Sequence, residues 1–259
     1  MGSASWATNV GNEYGQVLTS VLTVAEGAGL DKMAEGLMRR YEEASEPKPD
    51  IIYVDRDCCG RDGPAILQYF KQWKEVTVRL DIWHFMRRIA RGCTTESHAL
   101  YGKFMSGLSN VIFVWDSKDL DLLIEAKSKE LKTPITNREY ILTRISREEL
   151  MKHCKRTTRS SVDLRRRLRE HIKAYVLNGT DLLNVPLLDK ERCDEILKTQ
   201  LKHVNCIQDP PSYNLYTQVG TIQKGGIELP VYRCSRGSTS LESFHLHLNA
   251  FIPGRLIII

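Results

Sequence analysis

The chain has 259 residues, of which 42% are hydrophobic and 27% charged, and this composition is typical of a soluble globular protein with a sizeable core. The net charge of +5 is compatible with nucleic acid as a partner but does not by itself indicate one. No apolar run approaches the roughly 18 residues of a membrane span, so we exclude a membrane partner.

The cysteines argue against a disulfide framework. There are seven of them at irregular spacings, and no apolar leader precedes them, so we expect reduced thiols in an intracellular protein. None has the C-x-x-C spacing, so a structural zinc site is not expected. Cys58 and Cys59 are adjacent, and neighbouring side chains rarely reach one ion together. We interpret them as small hydrophobic residues behind a strand.

The first elements along the chain alternate between strand and helix patterns. Residues 5–10 and 16–23 predict a hairpin, and residues 30–45 predict an amphipathic helix. Residues 50–54 predict a strand in which an apolar run follows Asp50, as is typical of a strand buried on both faces. This strand is followed by a predicted helix and a further strand.

Pro64 begins the predicted helix 64–73, and residues 75–80 predict the strand after it. Residues 50–80 therefore read as a βαβ unit with two parallel strands. The next part of the chain is mostly helical, with predicted helices at 84–91, 97–112, 117–131, 146–155, 161–176 and 189–204. The order indicates an α/β fold with a mixed sheet and a helical insertion.

The C-terminal part predicts one hairpin and one helix. Residues 215–234 alternate around a Lys-Gly-Gly turn, which favours a hairpin. Residues 238–240 are candidate caps for a helix over 241–251.

Three acids follow the two predicted parallel strands. Asp55 and Asp57 come after the first strand and Asp81 after the second. Such strands end at one edge of a sheet, where ligands of open α/β sheets gather. Carboxylates are the ligands that Mg²⁺ prefers, and two such ions can clamp a phosphodiester. The alternative is that Asp55 and Asp57 cap turns and pair with Arg56 or Arg61.

The segment "RLDIWHFMRRI" (79–89) places Asp81 three residues before His84 at a strand-to-helix junction. Asp81 there is a candidate N-cap. His84 is either a structural hydrogen-bonding group, a group that orients a nearby acid, or a phosphate contact.

Three motifs together resemble RNase H-like DDE transposases of the Mutator and ISL3 type. They are "IIYVDRD" (51–57), "VTVRLDIWHFMRRI" (76–89) and "GSTSLESFHLHLN" (237–249). The order of elements along the whole chain also resembles that family, and uncharacterised transposon-like proteins of animal genomes. Sequence identity is confined to these short motifs.

The resemblance implies a metal site and roles for four residues. Asp55 matches the second catalytic aspartate, with Asp57 as the alternative, and Glu242 matches the catalytic glutamate. These two would bind Mg²⁺ or Mn²⁺. Asp81 and His84 match the D-x-x-H motif and would support the site. The alternative for Glu242 is a first-turn glutamate that complements the helix dipole.

The resemblance also implies how the chain is divided. We expect residues 1–92 to form a partial RNase H-like core, 93–235 a helical insertion ending in a hairpin, and 236–259 a truncated return helix. The family's first aspartate has no counterpart, since Asp31 falls in a predicted helix and Asp50 opens a strand. We therefore expect a fragment or decayed copy.

Residues 151–175 are strongly basic, with nine lysines and arginines against two acids. Such a surface could hold a DNA backbone without reading its sequence. The alternative is a solvated helix face whose long side chains cover apolar surface. The candidate DNA contacts are Lys155, Arg156, Arg159, Arg165, Arg166, Arg167 and Arg169.

The functional expectation is a transposase-derived nuclear protein whose ancestral activity is Mg²⁺-dependent cleavage and strand transfer of DNA, inactive as this fragment. One rival is a non-catalytic DNA-binding or interaction protein that keeps only the fold. Another is an unrelated α/β enzyme that uses the same edge of the sheet. The sequence leaves a homo-oligomer open.

Overall fold

The computed structural model describes residues 6–23, 29–238, 241, 244 and 247, and the backbone of 257–258. The contacts divide the chain into two compact units. Unit 1 comprises 1–102, 172–208 and 236–259, and unit 2 comprises 103–171 and 209–235. The predicted insertion at 93–235 includes 172–208, which the contacts assign to unit 1. Helices and strands are both present, so the mixed α/β class is confirmed.

Unit 1 begins with the predicted hairpin and helix. β1 (Trp6–Gly11) and β2 (Val17–Thr23) pair antiparallel, and α1 (Leu30–Glu43) follows. The apolar residues of α1 are buried against Phe70 and Trp73, and apolar residues of β1, β2 and β3 pack around them. The periodicity of 30–45 therefore predicted this helix and its buried face correctly.

The predicted parallel pair is also confirmed. β3 (Ile51–Val54) and β4 (Thr77–Leu80) pair in parallel register, from Ile51 opposite Thr77 to Val54 opposite Leu80.

The helix predicted over 64–73 is wrong. The structure has only a short 3₁₀ helix, Ala65–Gln68, followed by turns. Pro64 is extended, and the bonds after it span three residues, including those from Trp73 to Phe70 and from Val76 to Trp73. The Phe70 and Trp73 rings stack at 5.1 Å in the core. Burial of these two rings stabilises a tight turn where the residue pattern favoured a helix.

The strands of unit 1 form two sheets where the sequence predicted one mixed sheet. β1 pairs on one side with β2 and on the other with β9 (Ile257–Ile258), while β3 and β4 form a separate pair. No strand in the described part of the chain bridges β1 and β3, because β9 takes the second edge of β1. Both sheets contribute to the core around α1.

The remainder of unit 1 includes two helices that follow β4 in sequence and pack against each other. α2 (Ile82–Ala90) starts directly after β4, and α8 (Lys190–Gln200) packs against it and continues into a 3₁₀ turn, Leu201–His203. The backbone N–H of Leu80 donates to the carbonyl of Cys206 at 2.9 Å. This bond holds the loop after α8 against the end of β4.

Unit 2 contains helices around two small antiparallel sheets. Its elements are most of α3 (Tyr101–Ile112), β5 (Phe113–Trp115), α4 (Ser117–Leu131), α5 (Arg138–Arg144), α6 (Arg147–His153), β6 (Arg156–Thr158), the first part of α7 (Ser161–Asn178), β7 (Tyr216–Lys224) and β8 (Ile227–Cys234). β5 pairs with β6, and β7 with β8. The β7–β8 hairpin was predicted, whereas β5, β6 and α5 were not. Among the described helices, none is both long and apolar enough to cross a membrane.

The Gly225-Gly226 turn of the hairpin yields a matched pair of variants. Both glycines have positive φ, 56° and 75°, which an L-residue adopts at a cost of about 1–2 kcal/mol. A Cβ on Gly225 would lie 2.5 Å from the carbonyl oxygen of Ala126 in α4, whereas a Cβ on Gly226 meets open space. We predict that Gly225→Ala lowers the free energy of unfolding by at least ~1 kcal/mol more than Gly226→Ala in urea titrations. Equal losses would show that the contact with α4 is unimportant.

Candidate functional site

The carboxyl edge of the β3–β4 pair brings Asp55 and His84 together. Asp55 follows β3, and His84 lies in the first turn of α2, directly after β4. His84 Nε2 is 3.1 Å from Asp55 Oδ1, and both side chains are largely buried. Arg88 donates a hydrogen bond to the backbone carbonyl of Asp55. Two groups from separate sequence motifs therefore meet at one edge, and the imidazole fixes the orientation of the carboxylate.

Asp81 is bound at the same edge but in a different way. It is 1% exposed, and it caps α2, because its Oδ1 accepts from the backbone N–H of His84 at 3.1 Å. Its Oδ2 accepts from the backbone N–H of Ser238 at 2.8 Å. The predicted N-cap is confirmed. Because both oxygens bind backbone amides away from solvent, Asp81 suits a supporting role better than that of a metal ligand.

Gly237 shows how closely the chain approaches Asp81. Its φ is +80°, and a Cβ there would lie 2.5 Å from Asp81 Oδ2. A residue other than glycine would displace this carboxylate or the backbone that binds it. The contact holds Gly237 and Ser238 at the carboxyl edge.

The two remaining acids that the sequence predicted for the site are Asp57 and Glu242. Asp57 has a φ of 53°, and its exposed carboxylate lies 3.5 Å from Nε of Arg56. This matches the alternative of a turn residue paired with an arginine. Glu242 lies outside the described residues, four positions after Ser238 in the sequence.

The fit of this edge to Mg²⁺ rests on Asp55. A Mg²⁺ ion binds through one or two carboxylates together with waters and substrate oxygens, so Asp55 fits as one ligand. Within the described residues, no cluster of three carboxylates lies at this edge, and the one group of metal-ligating side chains found has a different chemistry.

That group consists of Cys58, Cys59, His203 and Cys206. The four ligand atoms all lie within 4.8 Å of one another. Hydrogen bonds from Cys58, His203 and Cys59 lower the pKa of the Cys206 thiol to about 5, despite an opposing effect of burial. The prediction that Cys58 and Cys59 are buried hydrophobic residues is confirmed for the burial of Cys58 and wrong for Cys59, which is exposed, and both thiols contact His203. The H-x-x-C spacing of His203 and Cys206 was the signal that could have found this group.

The basic residues of 151–175 mostly contact groups of their own unit. Arg166 and Arg167 hydrogen-bond to Asp163 at 2.6 and 2.7 Å, and Arg159 lies 3.8 Å from the same carboxylate. Arg166 also binds Glu170. These contacts partly neutralise the positive charge of the predicted DNA-binding surface.

The other candidate DNA contacts differ in their surroundings. Lys155 lies 3.7 Å from Asp119, and Arg156 lies over the ring of Phe113. Arg165 donates to the carbonyl of Ser161 in its own helix, whereas Arg169 is exposed. Their contact with DNA stays a prediction.

A second basic surface lies in unit 1, beside the candidate site. Arg56, Arg88 and Arg91 line an open groove together with His203 and the last turns of α8, which contribute one acid, Glu195. Sequence analysis did not find it, because these arginines come from two segments separated by β4.

Fold and site together define a mixed α/β protein with an aspartate–histidine pair at the carboxyl edge of two parallel strands. No protein-family model matches the chain, and neither the curated proteins nor the solved structures give a significant match.

Asp81 both caps α2 and binds the backbone of Ser238. The effect of the second contact on stability can be measured by comparison with Asp189, which caps α8 by accepting from the backbone N–H of Arg192. Loss of a cap costs about 1 kcal/mol. Asp81→Ala also leaves the Ser238 N–H without its acceptor, which adds about 1–3 kcal/mol. We predict that Asp81→Ala lowers the urea midpoint clearly more than Asp189→Ala. Similar midpoints for the two variants would argue that the Ser238 contact does not hold the chain.

Proposed function

We propose that this chain derives from a DDE-type transposase with an RNase H-like fold, whose ancestral activity is Mg²⁺-dependent cleavage and strand transfer of DNA. The contact between Asp55 and His84 carries the proposal. These residues belong to two motifs that resemble the family, and they lie 3.1 Å apart at the carboxyl edge of a parallel strand pair. Such a protein would act in the nucleus.

The residues of the edge have separate roles in this proposal. Asp55 is the metal ligand, and His84 holds its carboxylate in one orientation. Asp81 fixes the start of α2 and binds the backbone of Ser238. Glu242 is the second metal ligand by resemblance alone. Bound Mg²⁺ would polarise the phosphodiester and stabilise the attacking and leaving oxygens.

We further propose that the 259-residue chain is inactive as a nuclease. A two-metal site needs several carboxylates to bind its ions, and by resemblance Asp55 and Glu242 supply two of the three acids of a DDE site. Two of the three acids would bind Mg²⁺ weakly.

Metal binding by Asp55 can be measured without catalysis. Titration of the chain with Mn²⁺, followed by electron paramagnetic resonance of the free ion, should show weak binding. Asp55→Asn should lower the affinity at least about tenfold, whereas Asp57→Asn should leave it unchanged because Asp57 pairs with Arg56 at the surface. Loss of binding only in Asp57→Asn would assign the site to the other acid and overturn the role of Asp55.

The same variants test the proposed inactivity in a plasmid nicking assay with Mg²⁺ or Mn²⁺. The wild-type chain and Asp55→Asn should give equal background. Robust nicking that Asp55→Asn abolishes would overturn the inactivity but support the DDE site.

A second candidate function is DNA binding without catalysis, favoured by the groove that Arg56, Arg88 and Arg91 line. Guanidinium groups bind phosphates well, and a groove with several of them can follow a DNA backbone. The groove adjoins the loop that carries Asp55, since Arg88 binds the carbonyl of that residue.

Filter binding at several salt concentrations tests this function. DNA affinity should fall as salt rises, and Arg56→Gln/Arg91→Gln should weaken it and lower the salt slope by about 1–2. The matched control is Lys190→Gln/Lys198→Gln, which removes the same charge from exposed positions of α8 outside the groove. Equal losses of DNA affinity in the two double variants would show that the effect depends only on net charge. Affinity independent of salt would exclude backbone contacts.

A further inference from the structure

The ligand atoms of Cys58, Cys59, His203 and Cys206 lie within 4.8 Å of one another, close to the spacing that a tetrahedral metal ion requires. Zn²⁺ binds sulfur at about 2.3 Å and nitrogen at about 2.0–2.1 Å, so two tetrahedral sulfur ligands lie about 3.8 Å apart and a sulfur and a nitrogen about 3.6 Å. The Sγ atoms of Cys58 and Cys59 are 4.0 Å apart, and each is 3.4 Å from Nδ1 of His203. These separations need only tenths of an ångström of adjustment around an ion.

The backbone conformation explains how the side chains of two adjacent cysteines lie on the same side of the chain. Side chains alternate between faces only in an extended strand, and β3 ends at Val54. Asp57 then adopts a φ of 53°, which turns the chain before the two cysteines. Their thiols lie too far apart for a disulfide, which needs about 2.05 Å.

The other two ligands are fixed by a turn. The backbone N–H of Cys206 donates to the carbonyl of His203 at 2.8 Å, which closes a three-residue turn between them. The carbonyl of Cys206 in turn accepts from Leu80 at the end of β4. All four ligands belong to unit 1 and are supported by the same strand pair.

We propose that Cys58, Cys59, His203 and Cys206 bind one Zn²⁺ ion in a structural site. Three thiolates and one imidazole select zinc over the hard Mg²⁺ ion, which prefers oxygen ligands. Four protein ligands complete the tetrahedral shell and leave no position for a substrate, so the site is structural and not catalytic. The ion would join the loop after β3 to the end of α8.

This proposal is independent of the transposase proposal, because Asp55, His84 and Glu242 are not zinc ligands. It does bear on the candidate site, since Cys58 follows Asp55 by three residues in the same loop. A zinc ion there would limit the movement of that loop relative to α8.

Metal content of the full chain tests the zinc site. The wild-type protein is expressed with zinc, purified and dialysed without chelator. Mass spectrometry should then show one zinc ion per chain. Substitution with Co²⁺ should give the near-ultraviolet sulfur-to-cobalt band and the intense visible absorption of a tetrahedral thiolate site. Cys59→Ser and Cys206→Ser should retain less than about a tenth of the zinc.

The matched control is Cys234→Ser, an exposed thiol outside the group, which should keep the full zinc content. Cys59 is the most informative variant, because its exposure makes damage to folding smallest. A chelator should lower the melting temperature of the wild type and of Cys234→Ser but not that of Cys59→Ser. Wild-type protein without zinc, equal zinc in Cys59→Ser and Cys234→Ser, or a disulfide among the four residues would each overturn the site.

Discussion

The parallel pairing of β3 with β4 determines where the functional groups of unit 1 lie. The in-register pair ends with Val54 opposite Leu80, so Asp55 and Asp81 emerge at one edge. The backbone N–H of Asp81 donates to the carbonyl of Val54, which extends the ladder by one bond. α2 begins there and brings His84 to Asp55, and Leu80 holds the loop that contains Cys206. Loss of this pairing would therefore break the contact between Asp55 and His84 and would also move the sulfur ligands apart.

Asp81 connects this edge to the C-terminal part of the chain. A buried carboxylate is stable when hydrogen bonds replace the water it has lost, and two backbone amides do so here. One amide belongs to α2 and the other to Ser238, so one side chain joins local and distant structure. The same burial that makes Asp81 a firm support makes it a poor metal ligand.

Two kinds of candidate metal ligand lie within one loop. Asp55 is a hard oxygen ligand suited to Mg²⁺, and the adjacent thiols are soft ligands suited to Zn²⁺. Their different preferences would keep the two ions apart even though their ligands are near in sequence. A zinc ion bound by the thiols would hold the loop while leaving Asp55 available.

The sequence by itself determined the features that depend on local pattern. Apolar spacing identified α1, the β3–β4 pair and the β7–β8 hairpin, and the position of Asp81 before α2 identified its cap, because these follow from neighbours within a few residues. The tight turn at 65–76 was mispredicted, since burial of Phe70 and Trp73 outweighed helical preference there.

Only the tertiary structure decided which distant groups meet. His203 lies 145 residues from Cys58, so no spacing rule joins the C-C pair to the H-x-x-C turn. The location of basic surface was decided in the same way. Two arginines of α7 that the sequence predicted as DNA contacts bind Asp163, whereas the arginines of the groove come from separate segments. A sequence pattern records which side chains are available, but the distance between two side chains is set by the packing of the elements that carry them.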